Sequence, residues 1–228
     1  MKKYDIFLFD ADGTLYDYDM AEANALEKMF SNYGLDYSDK IRQKYREINT
    51  QEWKKFENNE TTKEDLQTSR FIRLFDYIGV SCNAKDFNEK YLCELGKGAF
   101  LIDGALEICE YIISQNKKIY IVTNGILATQ TSRIKHSRIN EYISDFFVSE
   151  HVGFQKPHTS YFNYVFSHIP QAEKHSILII GDSLTADIQG GHNAGIDSCW
   201  LNAAGEKNKT SITPTYEVRG LLEVKKYV

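Results

Sequence analysis

The sequence is short of cysteine and histidine, has no long apolar run, and carries no excess of positive charge. Its four cysteines, Cys82, Cys93, Cys109 and Cys199, are scattered through 228 residues without a C-x-x-C spacing. That pattern argues against a disulfide framework or a thiolate metal site and reads as reduced packing residues of a cytoplasmic protein. The six histidines, His151 and His158 among them, make no metal-ligand spacing. No stretch approaches the ~20 apolar residues of a membrane-spanning helix, so no membrane partner is expected. The start, Met1 to Lys3 and then an apolar stretch, has the outline of a signal peptide, but Asp5, Asp10 and Asp12 interrupt it. With 27 Lys and Arg against 32 Asp and Glu the formal net charge is -5. A general binder of nucleic-acid polymers would carry a basic footprint instead. A small anionic ligand needs only a local positive site. No internal repeat and no low-complexity linker is visible.

What the sequence does have is enough apolar content, 42%, for one large domain with an insertion or two modest ones. Two textures alternate along it. From Tyr16 to about Lys97 the spacing is helical. Leu26, Met29, Phe30 and Tyr33 recur at i, i+3, i+4 and i+7, with Gly34 where a C-cap belongs. Ile41, Tyr45, Ile48 and Phe56 predict a second helix, capped by Ser38. A third starts near Thr62, with Asp65 three residues on, carries Phe71, Leu74, Phe75 and Ile78, and stops at Gly79. Asn83 would cap a fourth, with Phe87, Tyr91 and Leu95.

From Phe100 onward short apolar runs alternate with helical stretches: "KIYIVTNG" (117–125), "FFVSEHVG" (146–153), "SILIIGDS" (176–183) and "SCWLN" (198–202). With residues 5–10 they make five candidate parallel strands. The expected class is α/β, a Rossmann-like parallel sheet flanked by helices, with an all-helical cap inserted after strand one. The boundaries are 1–15 and 98–228 for the core and 16–97 for the cap. The late segment "GEKNKTSITPTY" is polar and reads as a partly mobile loop.

The chemistry lies where the strands end. Ile6 to Phe9, apolar without alternation, reads as a strand buried on both faces, and Asp10 and Asp12 stand at its carboxyl end. Alone they are a metal site, a catalytic pair or the start of a turn. Thr123 and Asn124, with Gly125, end a second strand. Asp182 and Asp187 follow another, and Lys156 stands before Pro157. One ligand accounts for all of them. Two like charges ~4 Å apart repel by about 4 kcal/mol at an effective dielectric of 20, so gathering four carboxylates implies a divalent cation. Oxygen-only donors favour Mg²⁺, and Mg²⁺ with these groups points to phosphoryl transfer. Asp10 is the candidate nucleophile and Asp12 the candidate general acid, then base. Thr123 and the backbone amides of Asn124 and Gly125 would hold phosphoryl oxygens, and Lys156 would neutralise charge there. Asp182 would ligate the metal. Asp187, in the first turn of a helix capped by Thr185, would hold the metal through water or position Lys156. In the cap, Trp53 could stack on a base and Arg70 could reach a phosphate, against the blander readings of a core tryptophan and a solvated arginine.

"DADGT", "TNG", "KP" and "GDSLTAD", in this order and at these separations, resemble the four signature motifs of the haloacid dehalogenase superfamily, over nearly the whole chain. The resemblance implies a small helical cap of the type-one branch and a metal held by Asp10, Asp182, Asp187 and the backbone carbonyl of Asp12. An acid at Asp12 marks the phosphatases of that family. "TNG", "HVGFQKP", "CWLN" and "INTQEWKKFENNE" further resemble the pyrimidine 5′-nucleotidase branch, which implies a nucleoside monophosphate as the small phosphorylated partner, and a monomer or small homo-oligomer. Phosphoglycolate or sugar-phosphate phosphatases and phosphomutases use the same scaffold. A phospho-accepting signalling module uses similar strand-end residues, but it has no need of an eighty-residue cap or of a base for turnover. A non-catalytic nucleotide-binding module would not need the full catalytic set.

Overall fold

The computed structural model describes residues 2–58, 60–170 and 173–228. Along the chain, β1 (Ile6–Phe9) is followed by α1 (Tyr18–Asn32), α2 (Asp39–Glu57), α3 (Lys63–Ile78) and α4 (Ala84–Leu95). Then come α5 (Ala105–Ser114), β2 (Lys118–Thr123), α6 (Leu127–His136), β3 (Asp145–Val148), α7 (Ser149–Val152) and α8 (Thr159–His168). The chain continues with β4 (Ile177–Gly181), α9 (Gln189–Ala194), β5 (Asp197–Leu201) and β6 (Tyr216–Val218). Contacts divide it into two compact units, Met1–Tyr18 with Ala99–Val228, and Asp19–Gly98.

The first unit holds a six-stranded, all-parallel sheet in the order β3-β2-β1-β4-β5-β6. Successive side chains of a strand point to opposite faces. Phe7 and Phe9 therefore join one core, with Ile121, Ile180, Ile108 and Ile112, while Ile6 and Leu8 join the other, with Val122, Ile179, Phe162 and Val165. Both faces are covered, which is why β1 is apolar without alternation. In register, Phe9 lies opposite Ile121 of β2 and Ile180 of β4. The chain leaves β1 toward β2 on one side, and β4 pairs on the other, so β1 sits at the reversal of strand order. Its carboxyl end is where open α/β sheets place ligands.

The sixth strand differs from the sequence reading. Tyr216 belongs to β6, whose three residues are too few to show a period, and it stacks on Tyr227 with ring centroids 4.2 Å apart.

The second unit is all-helical among its described residues. Ser38 Oγ accepts from Ile41 N–H, Thr62 Oγ1 from Asp65 N–H, and Asn83 Oδ1 from the N–H groups of Lys85 and Asp86, so each caps its helix. These bonds satisfy donors that the first helical turn leaves without a partner. Phe71 anchors an aromatic core, its ring 4.9 to 5.3 Å from those of Phe87, Tyr91 and Tyr45.

Candidate active site

Asp10 continues β1 and stays in the sheet's hydrogen bonding, its N–H donating to Ile180 O at 2.9 Å. The chain then turns sharply at Gly13. Its φ of +80° is strained for any L side chain, and a Cβ there would come within 2.5 Å of Asp182 Oδ2. Gly13 thus lets the β1 loop lie against the acid that follows β4.

Lys156 is buried and its ammonium has three acceptors: Asp10 Oδ1 at 2.6 Å, Asp187 Oδ1 at 2.6 Å and Val122 O at 2.8 Å. Its placement depends on Asn124, whose side chain donates to Lys156 O and accepts from Lys156 N–H, both at 2.9 Å. This reciprocal pair ties the turn after β2 to the loop carrying the lysine. Thr123, buried at the end of β2, accepts from Gly125 N–H through Oγ1 at 3.0 Å, which leaves its hydroxyl hydrogen to donate.

After β4 the chain winds through one π-helical turn, Leu184–Ile188. Such turns recur at functional sites. Ser183, not Thr185, caps it: Ser183 Oγ accepts from Ala186 N–H, because the residue just before the turn faces its free donors. Asp187 is buried, bonded through Oδ2 to Ser183 N–H at 3.1 Å and through Oδ1 to Lys156. The chain carbonyl of Asp182 is fixed by Trp200 Nε1 at 2.8 Å.

Asp10, Asp182 and Asp187 each bring a carboxylate oxygen within 4.8 Å of the other two. Three acids around one ammonium leave an excess of negative charge. Burial pushes the Asp10 carboxyl well above the ordinary carboxylate range; Lys156 opposes this and the charges of Asp187 and Asp182 add to it. Asp182 is pushed up to about 7, first by the protein crowding its carboxyl and then by Asp187. As a residue Asp182 is exposed, so the neighbouring charge is the cause that a cation would reverse. Burial alone would lower the Lys156 pKa, but the two carboxylates outweigh it and keep the group charged. A cluster with this excess of negative charge and only oxygen donors fits a small hard divalent cation.

The Asp12 carboxylate is not one of the three that cluster. It is ion-paired with Arg133 Nη1 through Oδ1 and accepts from Gln130 Nε2 through Oδ2 at 2.5 Å.

These observations meet the comparisons with known proteins. Residues 7–201 match the family model described as haloacid dehalogenase-like hydrolase. The chain belongs to this family. Among its relatives, the HAD-hydrolase YfnB of Bacillus subtilis is 42% identical over 98% of this chain and 95% of its own length. A crystal structure of YfnB bound to magnesium has a TM-score of 0.93, at 41% identity, covering 99% of this chain and 98% of that one. The pyrimidine 5′-nucleotidase PynA of Streptococcus pneumoniae is 36% identical over 94% of this chain and 91% of its own. The pyrimidine 5′-nucleotidase YjjG of Escherichia coli is 31% identical over 97% of this chain and 96% of its own. The protein is an enzyme, a haloacid dehalogenase-like hydrolase.

Of the residues singled out in the sequence of this hydrolase, Asp10, Asp182, Asp187 and Lys156 converge, with Thr123, Asn124 and Gly125 on the adjoining turn. Trp53 and Arg70 belong to the other, helical unit. Trp53 is half-buried on α2, edge-on to Phe56 with centroids 5.8 Å apart. For Arg70 the reading as a solvated side chain needs correction. The residue is 1% exposed, and its guanidinium donates to Asn49 Oδ1, Asn88 Oδ1 and Gln67 O, tying α2, α3 and α4 together. Gln130 and Arg133 escaped the sequence reading. Their one signal is the spacing of three residues, which puts them on one face of the helix that follows "TNG".

Among the described residues, no helix is long and apolar enough to cross a membrane.

Proposed function

We propose that the chain is a Mg²⁺-dependent phosphatase that hydrolyses nucleoside monophosphates, pyrimidine ones in preference, through an aspartyl-phosphate on Asp10. The observation that carries the phosphatase reading is the Lys156 ammonium held between Asp10 and Asp187 inside the acidic cluster. It puts a fixed positive charge directly beside the candidate nucleophile, where an incoming phosphate dianion needs it. The pyrimidine half rests on the likeness to PynA and YjjG over nearly the full chain.

In the first step an Asp10 carboxylate oxygen forms a bond to phosphorus as the bond from phosphorus to the leaving oxygen breaks, and Asp12, entering as the carboxylic acid, gives that oxygen its proton and becomes the carboxylate that Arg133 and Gln130 hold. Thr123 Oγ1–H and the backbone amides of the β2 turn donate to the phosphoryl oxygens, and Lys156 offsets charge that builds on them. In the second step water attacks phosphorus, Asp12 takes a proton from it, and the bond from Asp10 to phosphorus breaks to restore the carboxylate. A divalent cation held by Asp10, Asp182 and Asp187, with the Asp12 carbonyl, would offset the repulsion between nucleophile and phosphate.

Release of inorganic phosphate, with and without Mg²⁺, across UMP, dTMP, AMP, GMP, phosphoglycolate and hexose phosphates tests the reading. The expected outcome is Mg²⁺-dependent release with kcat/KM about tenfold or more higher for the pyrimidine nucleotides, roughly 1.4 kcal/mol of base-dependent transition-state stabilisation. A preference for phosphoglycolate or a sugar phosphate would keep the chemistry and overturn the substrate. In the same assay Asp10→Asn is expected to lose about three orders of magnitude or more in kcat. Activity within tenfold of wild type would remove Asp10 from the nucleophile's role.

A further inference from the structure

We infer that Gln130 and Arg133 are positioning residues that aim the carboxyl group of Asp12, an inference that rests on the reading of Asp12 as the acid and base of the reaction. Each carboxylate oxygen of Asp12 has its own donor, Arg133 Nη1 on Oδ1 and Gln130 Nε2 on Oδ2. An aspartate held at both oxygens has neither of its side-chain torsions free.

The donors are themselves held. The Arg133 side chain is wholly buried, 0% exposed, with its guanidinium carbon 4.9 Å from the centre of the Tyr16 ring, and Tyr16 is buried too. Arginine is rarely buried without a partner of opposite charge, and a guanidinium held over an aromatic ring and ion-paired to a carboxylate has little freedom to turn. Gln130 packs so closely on the turn after β2 that a Cβ on Gly125 would lie 2.4 Å from its Nε2. The absent side chain of Gly125 is therefore the room in which Gln130 reaches Asp12. The first turn of α6 is fixed in turn by Glu150, whose Oε2 accepts from Leu127 N–H at 2.7 Å. The helix that orients Asp12 thus follows directly on the turn that presents Thr123 and Asn124 and is tied at its start to α7. Phosphate-holding and proton-handling groups share one rigid support, and a misplacement of about 1 Å in such a group costs on the order of 10²-fold in rate.

A purely structural ion pair would look similar, so the test must respond to proton delivery alone. p-Nitrophenolate departs without a proton, whereas the 5′-oxygen of a nucleotide needs one. The value of kcat/KM covers the step in which the leaving group departs. It is measured for UMP, or whichever monophosphate the wild type turns over best, and for p-nitrophenyl phosphate, in Arg133→Met, Gln130→Leu, Arg133→Lys and Asp12→Asn. Arg133→Met and Gln130→Leu are expected to lose about tenfold or more beyond their loss on p-nitrophenyl phosphate when acting on the nucleotide. Arg133→Lys is expected to recover part of that gap. Gln130→Leu leaves no buried charge unpaired, so it carries the test should Arg133→Met fail to fold. Equal losses on both substrates in Gln130→Leu, with Asp12→Asn still selective for the nucleotide, would overturn the inference and leave a structural pair. A loss in Asp12→Asn that does not depend on the leaving group would instead remove Asp12 as the acid, and the inference would fall with that reading.

Discussion

Lys156 has all three of its N–H groups committed, to two carboxylates and a carbonyl, in a buried position. Removing one partner of such a buried pair leaves uncompensated charge and typically costs about 3–5 kcal/mol. Lys156→Met is therefore expected to lose stability of that order in denaturant titrations without metal, besides losing turnover. A change below about 1 kcal/mol would mean that the buried pairing contributes little to folding. Asp10 and Asp182 were legible in the sequence because each follows an apolar run, with Asp187 five residues on, and parallel strands deliver such ends to one edge. Gln130 and Arg133 were not. Polar residues on a helix read as solvated until the opposing strand end is known, and only the folded chain brings Asp12, more than a hundred positions earlier, against them.

At the scale of elements, Arg70 shows the same limit in the helical unit. Nothing local marks it as buried, because its partners Asn49 and Asn88 come from the neighbouring helices α2 and α4. The helices themselves were readable: their caps at Ser38, Thr62 and Asn83 are side-chain chemistry within three residues. Strand β6 was not, being three residues whose place is set by pairing with β5. Arg70→Met removes the donor from two buried carbonyl acceptors, each such loss costing about 1–3 kcal/mol, so a destabilisation of roughly 2–6 kcal/mol is expected. At temperatures where the variant remains folded, KM for the best substrate should stay within about threefold of wild type. A large rise in KM with unchanged stability would return Arg70 to substrate binding.

For the whole molecule, the acidic cluster links folding to protons and, in the proposed function, to a divalent cation. Asp10 is raised above the ordinary carboxylate range and Asp182 is raised to about 7, whereas in the unfolded chain both ionise near ~4. Between those limits the folded state binds more protons than the unfolded one, so without metal stability must fall as pH rises through this window. Lys156, also raised, stays charged throughout and adds no slope there. A divalent cation competes with these protons, and its stabilisation should therefore grow from pH 5.5 to 8.5. At a hundred times its Kd it contributes about 2.7 kcal/mol, which for a chain of this size is roughly 5–10 °C in Tm. Thermal unfolding across that range, in EDTA and in MgCl₂, is expected to show Tm falling with pH more steeply for wild type in EDTA than for Asp182→Asn, and Mg²⁺ narrowing the difference. Parallel wild-type and Asp182→Asn curves in EDTA would mean that Asp182 ionises as an ordinary surface acid, and that the cluster's need for a cation rests on Asp10 and Asp187 alone.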